Sequence, residues 1–388
     1  MIIAHLADLH LGYRAYHRAG PAGENVREAD VAAAFDRAVE AVVALEPELV
    51  VVAGDVFHSV RPSNAAISAA FRRFSSLTSR LPDTRVVVIA GERDTPRSAD
   101  AATILTLFAE IRGVAVVTER ADRMRLDSIG ASVLALPHAA LARGERPVIA
   151  PDPAAPLNVL TLHGTLLGAA EDGALARGAE QGGARLPEDA VALRDWDYVA
   201  LGHLPSATEI APHAWYSGSL EHTAGNIWTE AGREKGFVSY DTVARRATFH
   251  PVATRAVVDL PRIPAGELTA AELNAAIAAA VDGIPGGPAG KIVRLVITEM
   301  PRERMRELDH RRIREWRAEA LHFVLDPRPP EKELPGVLAG PVRGQSLEAL
   351  VDDYLSHRWS PTMEGVDPAR LAALARGYLA RTREGAEP

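Results

Sequence analysis

Five short blocks place carboxylates and imidazoles where metal chemistry could use them. Asp8 and His10 stand two residues apart, beside the apolar run Ile2–Ala7. Gly54–Asp55 follows Leu49–Ala53, and Gly91–Glu92–Arg93–Asp94 follows Arg85–Ala90. His163–Gly164 follows Asn158–Leu162, and Gly202–His203 follows Tyr198–Leu201. In an extended chain Asp8 and His10 would point to opposite sides, but a turn beginning at Leu9 lets both face one centre. Carboxylate plus imidazole without thiolate suits manganese, iron or zinc better than calcium or magnesium alone. One Asp with His on either side is the donor set of a two-metal hydrolase. Its ions lie ~3.5–4 Å apart, activate water and neutralise a phosphoryl centre. The sequence has no cysteine, which excludes a disulfide scaffold and thiolate-held zinc or iron–sulfur sites.

The runs that lead into these blocks are apolar throughout, as in strands covered on both faces. They alternate with helical spacing in Val31–Leu45, Ala65–Leu77 and Asp100–Ile111, and further strands are expected at Val114–Thr118 and Ser132–Leu136. This alternation predicts an α/β layered domain. In open α/β sheets ligands bind beyond the carboxyl ends of the strands, where all five blocks fall. Composition shifts near Thr254, where strand Ala256–Leu260, helix Thr269–Val281, strand Ile292–Thr298, charged helix Arg302–Leu321 and strand His322–Leu325 read as a small separate domain. Pro335–Gly344 is linker-like, and Ser346–Leu355 and Pro368–Leu379 are short amphipathic helices. The expected division is 1–253, 254–334 and 335–388.

At ~150 residues per domain, 388 residues suggest two or three domains. An apolar share of 47% and a charged share of 24% are those of a globular chain. The net charge of −8 excludes a uniformly basic nucleic-acid binder but leaves room for a local basic face. Lysine occurs at 235, 291 and 332 alone, and arginine supplies the other basic residues. Arg302–Ala320 carries seven Arg against five acids, a pattern that reads better as a solvated face of i,i+4 pairs than as a phosphate contact. The apolar runs fall far short of the ~20 residues of a membrane span. Met1–His10 lacks the features of a signal peptide, and a cytoplasmic location is expected.

The ordered blocks D-x-H, G-D, G-x-x-D, H-G and G-H resemble those of the calcineurin-like metallophosphoesterase superfamily. LADLHLG, AGDVFH, LHG, YVALGHL, YSGSLE and EKGF together resemble the SbcD-type DNA repair exonucleases, over residues 1 to about 250. The resemblance implies a four-layer α/β/β/α sandwich with a small α+β capping domain and a C-terminal helical hairpin. It implies two divalent ions, manganese first. Asp8, His10 and Asp55 match ligands of the first metal, and Asp55 bridges to the second. His163 and His203 match ligands of the second. DNA is the implied substrate, an SMC-like coiled-coil ATPase of SbcC type the implied partner, and a homodimer the implied assembly.

Two blocks depart from the family pattern. G-N-H-D, whose Asn binds the second metal and whose His acts on the substrate, is replaced by Gly91–Glu92–Arg93–Asp94. G-H-x-H, whose last His binds the first metal, is replaced by Gly202–His203–Leu204–Pro205. Glu92 reads equally as a ligand of the second metal and as a salt-bridged carboxylate. Arg93 reads equally as a phosphate contact and as an ion-pair partner of Glu92 or Asp94. With a pKa above ~12, Arg93 cannot donate or accept a proton near neutrality. Pro205 leaves the first metal with Asp8, His10 and Asp55. His58, His138, His213 and His222 read as structural, and Arg14 and His17 as a solvated loop. The leading reading is therefore a metal-dependent exonuclease or phosphodiesterase with an altered site. Its competitor is an inactive scaffold that keeps DNA or ATPase binding, and a weaker third is a phosphodiesterase of small phosphate esters.

Overall fold

A computed structural model describes residues 1–21, 23–96, 102–142, 148–167, 183–330, 370, 373, 374, 377 and 378. Met1–Arg328 forms one compact unit. The second unit, Pro329–Pro388, falls almost wholly outside the described residues, and with it the expected linker and terminal helices.

In chain order the strands are β1 Ile2–Leu6, β2 Leu49–Ala53, β3 Arg85–Ile89, β4 Val114–Val117, β5 Asp122–Leu126 and β6 Ala131–Leu136. There follow β7 Leu157–His163, β8 Thr165–Leu167, β9 Arg185–Pro187, β10 Tyr198–Gly202, β11 Thr208–Ala211 and β12 Ala214–Tyr216. The last are β13 Lys235–Asp241, β14 Arg246–Val252, β15 Val257–Pro264, β16 Ile292–Thr298 and β17 His322–Pro327. The α-helices are α1 Val26–Leu45, α2 Asn64–Arg80, α3 His138–Ala142, α4 Ala270–Asp282 and α5 His310–Glu319.

Two six-stranded sheets lie face to face, in the orders β14-β13-β1-β2-β3-β4 and β11-β12-β10-β7-β6-β5. The central strands of each are parallel; β13 and β14 add antiparallel pairing at one edge of the first sheet, and β11 and β5 at the two edges of the second. Strand periodicity divides the side chains between two cores. Ala4, Leu6, Val50, Val52, Val86 and Val88 meet Val31, Phe35 and Val39 of α1 and Phe74 of α2. Ile3, Leu49, Val51 and Val87 meet Val133, Val159, Tyr198 and Ala200 of the facing sheet. Beyond the second sheet, Leu160, Leu162 and Leu201 pack on Leu166, Leu186, Val191 and Trp196. Among the described residues, α3, short turns and the β8–β9 ribbon pack on this side.

β15, β16 and β17 form a separate parallel sheet, with α4 and α5 as its crossovers. Leu273 and Ile277 of α4 and Ile313 and Trp316 of α5 bury against Leu295 and Phe323. Val257, Ile292 and Leu321 join this sheet to Ile227, Trp228, Tyr16 and Val26. Arg255 donates to both carboxylate oxygens of Asp30 at 2.6 and 2.7 Å, and Arg18 donates to the carbonyls of Arg317, Ala318 and Ala320 at the end of α5.

Three sequence expectations change. The charged helix Arg302–Leu321 is broken into a 3-10 turn, Arg302–Glu307, and α5. Leu308 between them is buried and extended (φ −73°, ψ 146°), and the Asp309 carboxylate caps α5 by accepting from the Arg311 and Arg312 amides. Arg304, Arg311 and Arg312 pair with Glu307, Glu315 and Asp282, which fits the solvated-face reading. The expected helix Asp100–Ile111 is a 3-10 helix, Ile104–Glu110, among the described residues. Strands β5, β8, β9 and β11 to β14 do not follow from apolar runs, and β14 mostly alternates exposed with half-buried residues.

Candidate metal centre

The loops after β1 and β2 are joined amide by amide. Asp8 donates to the Gly54 carbonyl (3.0 Å), His10 to that of Asp55 (3.0 Å) and Leu11 to that of Val56 (2.9 Å). The turn expected at Leu9 is built from left-handed backbone at Asp8 (φ 52°) and His10 (φ 47°). Asp55 (φ 52°) and His203 (φ 110°) share that hand. L-residues rarely adopt it, and each such position costs about 1–3 kcal/mol that the surroundings must enforce.

The loop after β3 is pinned by Asp94. Its carboxylate accepts from the amides of Phe57 (2.9 Å), Gly91 (3.0 Å) and Val56 (3.1 Å). The Arg93 amide donates to Asp55 Oδ1 at 2.9 Å. From the second sheet, His163 ends β7 with Nδ1 2.8 Å from the Ala53 carbonyl. That contact fixes the proton on Nδ1 and leaves the Nε2 lone pair for the centre. Nε2 is buried, has no hydrogen-bond partner, and lies 3.6 Å from Asp55 Oδ1. The His203 amide donates to Asp8 Oδ2 at 3.0 Å, and its ring meets that of His163 edge to face. The glycines of the blocks are required by these approaches. A Cβ on Gly91 would lie 2.1 Å from Asp55 Oδ1, and one on Gly202 1.8 Å from the Ala53 carbonyl oxygen.

Ligand atoms of Asp8, Asp55 and His163 thereby lie within 4.8 Å of one another, and all three residues are buried. His10, Glu92 and His203 stand outside this closest trio. His10 is buried, its Nδ1 makes no hydrogen bond, and its ring packs edge-on against His58. Glu92 is half-buried. Burial, then the charges of Asp94 and Asp8, pushes the Asp55 carboxyl well up. Burial raises Asp94 to about 6, against its backbone donors. Burial holds His10 and His163 well down, so both imidazoles are neutral and fit to ligate at pH 7. Crowded carboxylates beside neutral, unpartnered imidazole nitrogens fit a divalent cation, which would relieve the repulsion and use the lone pairs.

The two departures occupy definite places. The Arg93 side chain is 30% exposed, with Nε 4.0 Å from Asp55 Oδ2. The Pro205 carbonyl accepts from Lys235 Nζ (2.6 Å) and from the Ser219 amide (3.1 Å) and hydroxyl (3.2 Å). Lys235 is buried and also meets Glu230 Oε1 at 3.1 Å. Its charge acts on both His10 and Asp8. The sequence marks Lys235 as one of three lysines and as part of EKGF, not as a contact of the centre. A usable signal is a buried-block lysine in a chain that otherwise uses arginine, because a compact ammonium suits a point clamp that a planar guanidinium does not. Of the histidines read as structural, His213 bonds the Leu193 carbonyl (2.9 Å), and His222 lies 3.6 Å from Glu230. His58 lines the centre beside His10, and the His138 amide bonds the Ala90 carbonyl. Arg14 pairs with Glu28 at 2.8 Å.

Residues 1–209 match the model of the calcineurin-like phosphoesterases. The chain is also similar to the DNA double-strand break repair protein Mre11 of three archaea. It is 29% identical to that of Methanocaldococcus jannaschii over 110 residues, 28% of each chain. It is 29% identical to that of Methanococcus maripaludis over 118 residues, 30% of each. It is 27% identical to that of Methanopyrus kandleri over 224 residues, 54% of this chain and 46% of the relative. The matches therefore span less than half the length of these relatives. The family model covers more than half of this chain, and its matched residues carry all five blocks: the chain belongs to the calcineurin-like phosphoesterases.

Proposed function

We propose that this phosphoesterase is a metal-dependent DNA exonuclease of SbcD type that works in repair with an SMC-like coiled-coil ATPase. The observation that carries the reading is the convergence of Asp8, Asp55 and the unpartnered Nε2 of His163 at the carboxyl ends of strands in both sheets. The similarity to Mre11 proteins supports DNA as substrate. A divalent ion, manganese first, would act as a Lewis acid on a phosphoryl oxygen and make water nucleophilic near neutral pH. Asp8, Asp55 and His163 hold it, and His10 and His203 flank them. The Ala53 carbonyl orients His163, and the His203 amide orients Asp8. Glu92 offers a further oxygen, and Arg93 stabilises charge on the phosphate without moving a proton. Residues 1–253 carry the chemistry, 254–334 cap it, and 335–388 offer the docking region for the ATPase. A homodimer completes the expected assembly.

Mn2+-dependent degradation of linear DNA, measured with the ATPase supplied, tests the reading beside Asp55→Ala. Cutting by the native chain and none by the variant is expected. A second reading, an inactive scaffold that retains DNA or ATPase binding, draws on Arg93 beside Asp55 and on the occupied Pro205 carbonyl. It requires a silent native chain and cutting by the triple variant Glu92→Asn, Arg93→His, Pro205→His. Silence of both on DNA, with hydrolysis of bis(p-nitrophenyl) phosphate, would point instead to small phosphate esters.

A further inference from the structure

Two ions ~3.5–4 Å apart need donors on both outer sides of the bridging carboxylate. The two sides of Asp55 differ in this chain. Oδ1 faces His163 Nε2 at 3.6 Å, and the ligand atoms of Asp8, Asp55 and His163 close around one point. Oδ2 faces the Arg93 guanidinium, a permanent cation, at 4.0 Å. That cation is carried on a fixed loop. The Arg93 amide is bonded to Asp55 Oδ1, and its neighbour Asp94 is held by three backbone amides. Nor does the loop after β10 supply a donor at Pro205. Proline has no ligating side chain, and its carbonyl is already taken by Lys235 and Ser219. A second divalent ion would thus enter beside a permanent positive charge and without a donor at Pro205.

We infer that this chain binds a single divalent cation, held by Asp8, Asp55 and His163, and that the Arg93 guanidinium stands in place of a second. The inference rests on the metal-centre reading above and departs from the two ions that the family resemblance implies. The site is then mononuclear, with one exchangeable cation and one covalently tethered cation on opposite sides of Asp55.

Titration calorimetry with Mn2+ on the full chain, joined to electron paramagnetic resonance of the loaded protein, tests it. The native chain is expected to bind one Mn2+ and to show the resolved hyperfine pattern of an isolated ion. Arg93→Lys, which keeps the charge, is expected to stay at one. Arg93→Ala is expected to reach two, with the broadened signal of a spin-coupled pair. Two ions on the native chain would overturn the inference and leave the metal-centre reading standing. One ion on Arg93→Ala would overturn the role given to the guanidinium. No ion on the native chain would overturn the inference. If Arg93→Ala also binds none while retaining its fold by circular dichroism, the metal-centre reading falls with it.

Discussion

His163 Nδ1 lies 2.8 Å from the carbonyl oxygen of Ala53, a residue of the facing sheet 110 positions earlier. This bond couples the two sheets at the centre and selects which imidazole nitrogen faces Asp55. Gly54, at φ +91°, is what lets the ring come so close, since a Cβ there would lie 2.4 Å from Nδ1. Gly54→Ala should therefore displace the ring and strain the backbone. A loss of about 1–3 kcal/mol in stability and of about 10–100-fold in Mn2+ affinity is expected, read by thermal denaturation and calorimetric titration.

Burial raises the cost of a charge on Asp55, and the neighbouring Asp94 and Asp8 add to it. Asp55→Asn removes the ionisable carboxyl at nearly constant shape. In chelator the variant should melt higher than the native chain. In Mn2+ at a hundred times the native Kd the order should reverse, because the native chain gains about 2.7 kcal/mol by linkage and the variant gains none. Calorimetric melting under both conditions checks the crossover.

Lys235 and Glu230 are both 1% exposed at the side chain, with Nζ 3.1 Å from Oε1. Lys235→Met leaves the carboxylate buried and uncompensated, an effect of about 3–5 kcal/mol. The double variant Lys235→Met, Glu230→Gln should recover a large part of that loss. Urea denaturation of the two singles and the double measures the coupling. Additive losses would mean that the pair does not act as a unit.

His5 supplies an acid-sensitive element outside the candidate metal centre. It is fully buried on β1 with Nδ1 3.0 Å from the Tyr198 hydroxyl, and burial lowers its pKa from 6.5 to about 3. The unfolded chain then binds a proton that the folded chain refuses. Its share of stability is fully present above pH 6.5 and is lost as pH falls toward 3. The whole effect is on the order of 5 kcal/mol. His5→Gln should flatten the dependence of stability on pH across that window, measured by urea midpoints in chelator.

The centre is legible in the sequence where a short-range rule marks it. Asp8, His10, Asp55, His163 and His203 follow buried strands at once, so strand direction alone gathers them at one edge. Gly54, Gly91 and Gly202 mark the close approaches there. Asp94 shows why the rest is harder to read. Its partners are amides 37 and 38 residues away at Phe57 and Val56, and backbone donors leave no trace in side-chain type. The clamp of Lys235 on Pro205 spans 30 positions and has the same character. Leu308 hides differently, because helical spacing continues across it and only its burial in the β15–β17 core breaks the helix.

The left-handed backbone at Asp8, His10, Asp55 and His203 has an evolutionary consequence. A selection for heat resistance alone would reward glycine or asparagine at these four positions, since both relax the turn. Each such gain would delete a candidate donor or its support. Endurance and chemistry compete for the same four codons, so laboratory evolution toward a hardier enzyme must find its improvements elsewhere in the chain.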